Sequence, residues 1–144
     1  MNKLVIKEFT LSEHDSAVAL WKRTEGVCNC DKCMHFDSKE QLGKYFARNP
    51  GMSFVAIENN TVVGTILAGH DGRTGLIYRL TVAQELQRKG IGKQLVDKSV
   101  EALKQEGMKN IKIFVLNDNE GGNSFWGNAG FTDFTIASTR NKEI

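Results

Sequence analysis

The sequence predicts an α/β (α+β) fold, one domain over residues 1–144 with a mixed, mostly antiparallel central sheet and helices on both faces. Three observations lead there. Apolar runs at 53–58, 61–69 and 75–82 follow one another across the tight turns Asn59-Asn60 and Asp71-Gly72, which makes a hairpin meander. An amphipathic stretch behind Gly90 then separates the third run from another at 111–116, the layout of a βαβ crossover. A chain of 144 residues, 40% hydrophobic and 25% charged, is an ordinary globule large enough to bury one core without staples.

Taken in order, Leu4-Val5-Ile6 with Phe9 form a first strand at or near a sheet edge. Ser12 caps a helix running to about Gly26, with Glu13 and Asp15 in its first turn and Lys22 and Arg23 near its end, as the helix dipole favours. Val18 and Trp21 supply its apolar stripe, and His14 is expected on the surface. Ser38 and Gln41 open a second helix as a capping-box pair; Leu42, Tyr45 and Phe46 form its buried face, and Asn49-Pro50-Gly51 stops it. Strands Ser53–Glu58, Thr61–Gly69 and Gly75–Val82 follow. Ile91, Leu95, Val96, Val100 and Leu103 fall at helical spacing, with Gly107 as C-cap. The nearly continuous apolar run Ile111–Leu116 reads as a buried parallel strand. A short helix lies near Glu120–Asn128, and Gly130-Phe131 opens a final strand or two.

Charge and composition narrow the function. A net charge of +2 is too small to argue for a nucleic-acid partner. No apolar run approaches the ~20 residues of a membrane span, and MNKLVIKEF lacks the apolar core of a signal peptide, so a cytoplasmic protein is expected. Three cysteines packed into six residues, an odd number, do not make a secreted disulfide framework.

The chemistry gathers at Gln87-Arg88-Lys89-Gly90-Ile91-Gly92-Lys93. Two glycines one residue apart let the backbone approach a ligand closely, and the helix behind them offers unpaired N–H groups and the positive end of its dipole. Arg88, Lys89 and Lys93 add full charges, so the place suits a phosphate or pyrophosphate. A P-loop would need Ser or Thr where Gln94 stands, and a dinucleotide loop would need glycine where Leu95 stands. The pattern Q/R-x-x-G-x-G/A does fit. With its flanking strand and helix it resembles the pyrophosphate loop of the GNAT superfamily of N-acetyltransferases, and the order of elements resembles that superfamily over nearly the whole chain. The bland alternative is an ordinary glycine-rich turn.

The resemblance implies a splayed strand pair. The strand before the loop should bulge and part from the next parallel strand, so that the pantetheine arm of acetyl-CoA pairs with the backbone of Leu80 and Val82. The pyrophosphate would rest on the N–H groups of residues 88–93, with Gln87 at the first motif position. Asn119-Glu-Gly-Gly-Asn-Ser-Phe-Trp126-Gly-Asn-Ala-Gly130-Phe131 resembles the family's N-x-x-A-x-x-x-Y-x-x-x-G-F signature. Asn119 then falls on the pantetheine-binding position and Phe125 lines the cofactor. Trp126 stands where many members carry a tyrosine that protonates the leaving thiolate; an indole has no labile proton to give, so Trp126 either orients the thioester or packs in the core. The family's final hairpin has only about ten residues after residue 134, so its last strand is expected to be short or missing.

Two clusters remain. His70-Asp71-Gly72-Arg73 with Tyr78 resembles a bacterial subgroup that carries GHDGR and a downstream Phe-Trp, and His70, Asp71, Tyr78 and Glu120 are the candidate bases for an incoming ammonium. Asp71-Gly72 is equally hairpin chemistry, and relatives often pass the proton through water. Cys28, Cys30, Cys33 and His35 offer the ligand types of a zinc site in a very compact spacing; reduced loop cysteines open to oxidation are the other reading. The expected activity is therefore acetyl transfer from acetyl-CoA to a small-molecule or peptide amine by direct attack in a ternary complex, without nucleic acid or membrane. The acceptor and the oligomeric state stay open, dimers being frequent in the family. The rivals are an acyl-CoA-binding sensor or partner-binding module, and a cysteine-based metal or redox module on the same fold.

Overall fold

The computed structural model describes residues 3–144 and contains a five-stranded sheet in the order β1 (Leu4–Glu8), β2 (Phe54–Glu58), β3 (Thr61–His70), β4 (Gly75–Val82), β5 (Ile111–Ile113). The first four strands pair antiparallel, and β5 joins β4 in parallel. The Asn59-Asn60 turn takes φ of 52° and 59°, the left-handed pair that a two-residue hairpin loop requires. At the other hairpin Asp71 Oδ1 accepts the N–H groups of Arg73 and Thr74, both at 2.8 Å, and Gly72 supplies a φ of 93°.

Four helices accompany this sheet: α1 (His14–Arg23), α2 (Asp31–Phe36), α3 (Lys39–Arg48) and α4 (Ile91–Gln105). Adjacent β3 residues show which faces they cover, because successive side chains point to opposite sides of a strand. Thr65 accepts a hydrogen bond from Trp21 of α1 at 2.9 Å, while a Cβ added at Gly64 would lie 3.1 Å from Leu95 of α4. Helices on opposite faces follow directly. Ser99 Oγ, inside the apolar stripe of α4, donates to the Met52 carbonyl at 2.7 Å and ties that helix to the approach to β2.

Several details depart from the sequence expectation. Thr10, not Ser12, opens the first helical segment: Glu13 reaches back to accept the Thr10 N–H at 2.9 Å and pairs with Lys7 Nζ at 2.9 Å. His14 is buried, its Nε2–H donating to the Asp37 carbonyl at 2.9 Å, and Ala17 and Leu20 join Trp21 as the fully buried apolar residues of α1, with Val18 half-buried. A short α2 stands where the sequence read as loop, and Ser38 caps α3, its Oγ accepting the Gln41 N–H at 3.2 Å. The predicted strand 111–116 pairs only over Ile111–Ile113, and Phe114 and Leu116 are exposed. No strand follows Gly130. Among the described residues no helix is long and apolar enough to cross a membrane.

The chain divides into two compact units at Phe114/Val115. The second unit carries α5 (Glu120–Asn128), opened by Asn119, whose Oδ1 accepts the Gly122 N–H at 2.9 Å. Trp126 is the buried centre of this unit, packed edge-on against Phe125 (5.3 Å) and Phe131 (4.9 Å).

Candidate functional site

The site is built on a fault in β4. Leu67 faces Tyr78, but two positions earlier on β3 Thr65 faces Thr81, so Ile66 is opposed by both Arg79 and Leu80. Arg79 takes a left-handed φ of 54° there. The parallel ladder with β5 runs only from Gly75↔Ile111 to Ile77↔Ile113, while β4 continues through the bulge to Val82. Strand β4 therefore outruns its parallel neighbour at the bulge, the parting expected from the sequence.

Buried chemistry holds the fault in place. Thr65 has no exposed surface; its hydroxyl donates to the Arg79 carbonyl at 2.7 Å and accepts the Trp21 indole N–H at 2.9 Å. Replacing Thr65 by Val keeps the shape but strands a buried donor and a buried acceptor, each costing ~1–3 kcal/mol. We expect Thr65→Val to lose about 2 kcal/mol in urea unfolding; an unchanged midpoint would show that the relay does not support the bulge.

Beyond Val82 the chain makes a 3-10 turn (Gln84–Leu86), then passes through Arg88 at φ 63° into Gly90 at φ 85°, the N-cap of α4. A Cβ at Gly90 would meet nothing within 4 Å, so the glycine serves backbone conformation and open approach, not packing. The first turn of α4 holds no acidic residue, and Arg88 and Lys89 are exposed beside it. The N–H groups that begin a helix have no partners within it, so this end has the features that suit an anion. Lys93 instead pairs with Asp97 at 2.7 Å; both are largely exposed, and such an i,i+4 pair is worth only ~0.3–0.5 kcal/mol, little hindrance to an exchange of partner. Gln87 Nε2 donates to the Val82 carbonyl at 3.0 Å, so one of the backbone groups expected to be free for a ligand is engaged.

Arg79 and Asp37 form a structure that no sequence motif signals. The Arg79 side chain is 8% exposed; Nε donates to Asp37 Oδ2 at 2.6 Å, one Nη donates to the Cys28 carbonyl, the other lies 3.6 Å from Met34 Sδ, and the guanidinium stacks over Trp21 at 4.5 Å. The residue that forms the bulge thus clamps both ends of the 28–37 segment.

The candidate bases divide. His70 Nδ1 accepts the Gly72 N–H at 2.9 Å, so this ring nitrogen is used by the turn. Asp71 is fully exposed, and the N–H groups of Thr74 and Arg73 hold its carboxyl below the usual value, which makes it a weaker base. Tyr78, next to the bulge, stacks on Phe114 at 6.1 Å; burial, then the Asp37 charge, pushes its pKa up. Tyr78 therefore stays a phenol at neutral pH, a donor and not a base. Glu120 is an exposed residue in the first turn of α5.

Of the proposed zinc ligands the structure gathers three: the Sγ atoms of Cys28, Cys30 and Cys33 lie within 4.8 Å of one another. Cys28 and Cys33 form a disulfide, and Cys30 is free and exposed. His35 is not in this group; its exposed ring lies beside Phe36.

Comparison with known proteins bears on the family and the fold. Residues 13–131 match the Acetyltransferase (GNAT) family. An acetyltransferase of Pectobacterium atrosepticum is 26% identical over 116 residues, covering 80% of this chain and 78% of that protein. Among solved structures, an acetyltransferase from Streptococcus agalactiae superposes with a TM-score of 0.78 at 18% identity, covering 98% of this chain and 90% of that one. The PaiA N-acetyltransferase of Thermoplasma acidophilum, solved in complex with coenzyme A, superposes with a TM-score of 0.76 at 19% identity and 90% coverage of each chain.

Proposed function

The chain belongs to the GNAT acetyltransferase family, and from that premise we propose that it moves the acetyl group of acetyl-CoA onto a small-molecule or peptide amine by direct attack, both substrates being bound together. One observation carries the reading: a bulged β4 outruns its parallel neighbour and leads straight into an acid-free helix N-terminus capped by an open glycine. The family match crosses the boundary at Phe114, which supports treating residues 1–144 as one acetyltransferase domain. An acetyl-CoA co-substrate goes with work in the cytoplasm.

Bound acetyl-CoA supplies the acetyl group as an activated thioester. The N–H groups of residues 88–93, with the charges of Arg88 and Lys89, fix the pyrophosphate. The backbone of Leu80 and Val82 takes the arm, Val82 through its N–H or after the exposed Gln87 side chain swings away. Asn119 and Phe125 retain, as proposals, the cofactor contacts that the resemblance assigns to their positions. An N–H near Val82 polarises the thioester carbonyl, so orientation and electrostatics supply most of the rate. Tyr78 is the side chain suited to donate toward the departing thiolate. The turn bonds of His70 and Asp71 favour loss of the ammonium proton to water, and the packing of Trp126 favours a structural role.

The test is mass spectrometry of acetylated product after incubation of the pure chain with acetyl-CoA and a panel of peptide N-termini, lysine peptides, polyamines and aminoglycosides. Turnover on one class is the expected result. Saturable acetyl-CoA binding with no turnover on any amine would favour the acyl-CoA sensor, and no binding at all would sink both.

A further inference from the structure

The cysteine cluster has no part in the acetyl transfer derived above, yet it is the most organised group of soft ligands in the described chain. We propose that the reduced 28–33 loop is a binding site for a thiophilic d10 cation of the zinc class, with the thiolates of Cys28, Cys30 and Cys33 as ligands and the fourth position open to solvent. The Cys28–Cys33 disulfide is then the oxidised, metal-free form of the same site.

The geometry is close to what such a cation needs. Tetrahedral zinc–thiolate bonds of ~2.3 Å set neighbouring sulfurs about 3.8 Å apart. Cys30 Sγ lies 3.5 Å from Cys28 Sγ and 3.2 Å from Cys33 Sγ, so on reduction it shifts by about half an ångström, while the Cys28 and Cys33 sulfurs, released from their bond, separate to the same spacing. The Cys33 N–H donates to Cys30 Sγ at 3.4 Å, a hydrogen bond that orients this sulfur beside the other two. Arg79 holds the segment at Cys28 and again at Asp37, so much of the ordering that a floppy C-x-C-x-x-C loop would need is already done. The open fourth position follows from His35, whose ring lies outside the sulfur group.

The two forms interconvert by a balanced step. Oxidation joins Cys28 Sγ to Cys33 Sγ, breaks the bonds of both sulfurs to the cation, and passes two electrons to a two-electron oxidant such as a peroxide. The peroxide takes two protons from solvent and leaves as water, and the cation is released. A dithiol reductant reverses the change and restores the site.

The experiment uses the full chain, reduced and freed of reductant under nitrogen, titrated with Co²⁺ and then with Zn²⁺. The expected result is one equivalent of Co²⁺ bound with intense sulfur-to-cobalt charge-transfer absorption, which Zn²⁺ displaces. Cys30→Ser removes a direct ligand, so its affinity should fall by more than the roughly 10–100-fold typical of losing an outer-shell partner. Cys30 is exposed, and unchanged circular dichroism checks that the variant folds. His35→Ala should bind within a few-fold of wild type. Peroxide should release the cation and leave a mass two hydrogens below that of the reduced protein. Absence of the charge-transfer band in reduced wild type, or a band that survives Cys30→Ser unchanged, would overturn the proposal. None of these readouts depends on acetyl transfer, so failure here leaves the proposed activity standing.

Discussion

Gly90→Asp should abolish calorimetrically detectable binding of acetyl-CoA and of CoA while the chain remains folded. Two effects act together at the N-cap of α4. Gly90 holds a φ of 85°, so a side chain there costs about 1 kcal/mol or somewhat more, at the low end for Asp, which tolerates the left-handed region better than most residues. The larger effect is charge. A carboxylate ~5 Å from a pyrophosphate charge, at an effective dielectric of ~20, opposes it by about 3 kcal/mol, or roughly 100-fold in affinity. Gly90→Asn separates the two contributions, because it has the same shape without the charge; it should keep binding to within about 10-fold. If Asp and Asn weaken binding equally, backbone strain and not the anion cradle is responsible. If neither weakens it, the pyrophosphate lies elsewhere.

Arg79→Ala should be the most destabilising change at the site. It removes one partner of a buried ion pair and leaves Asp37, whose side chain is 22% exposed, with no cation at 2.6 Å. Breaking a buried pair from one side costs ~3–5 kcal/mol; the partial exposure of Asp37 puts the expectation at about 3 kcal/mol. The cation–π contact with Trp21 is lost as well. In a chain of 144 residues this lowers the melting temperature by roughly 10 °C. Arg79→Lys should recover little, because an ammonium cannot reach the Cys28 carbonyl and the Asp37 carboxylate with the fixed fork of a guanidinium. A melting temperature within a degree or two of wild type would show that the 28–37 segment is held by something other than this clamp.

Features written in local chemistry were legible: the Asn59-Asn60 and Asp71-Gly72 turns, the Ser38 cap, and the glycine loop leading into α4. Features that depend on partners far along the chain were not. An arginine at positive φ has no sequence signature, since what stabilises it is Thr65 on the next strand and Asp37 more than forty residues earlier. The apolarity of 111–116 predicts a long buried strand, yet pairing stops at Ile113, just before β4 turns away into the bulge. His14 looked like a surface residue because its partner is a backbone carbonyl, which residue identities do not reveal. Helix α2 escaped notice because its cap is the sulfur of Cys30 accepting a backbone N–H, and cysteine is not among the residues read as caps.

The guanidinium stacked on Trp21 also gives the protein an optical property. The chain has two tryptophans, and Trp21 lies beneath the Arg79 guanidinium, fully buried, where the field on the ring is poorly screened. Indole emission responds to such a field in colour and in yield. The light from Trp21 is therefore a gauge of how firmly the 28–37 segment sits on the sheet, legible without any label in the native protein.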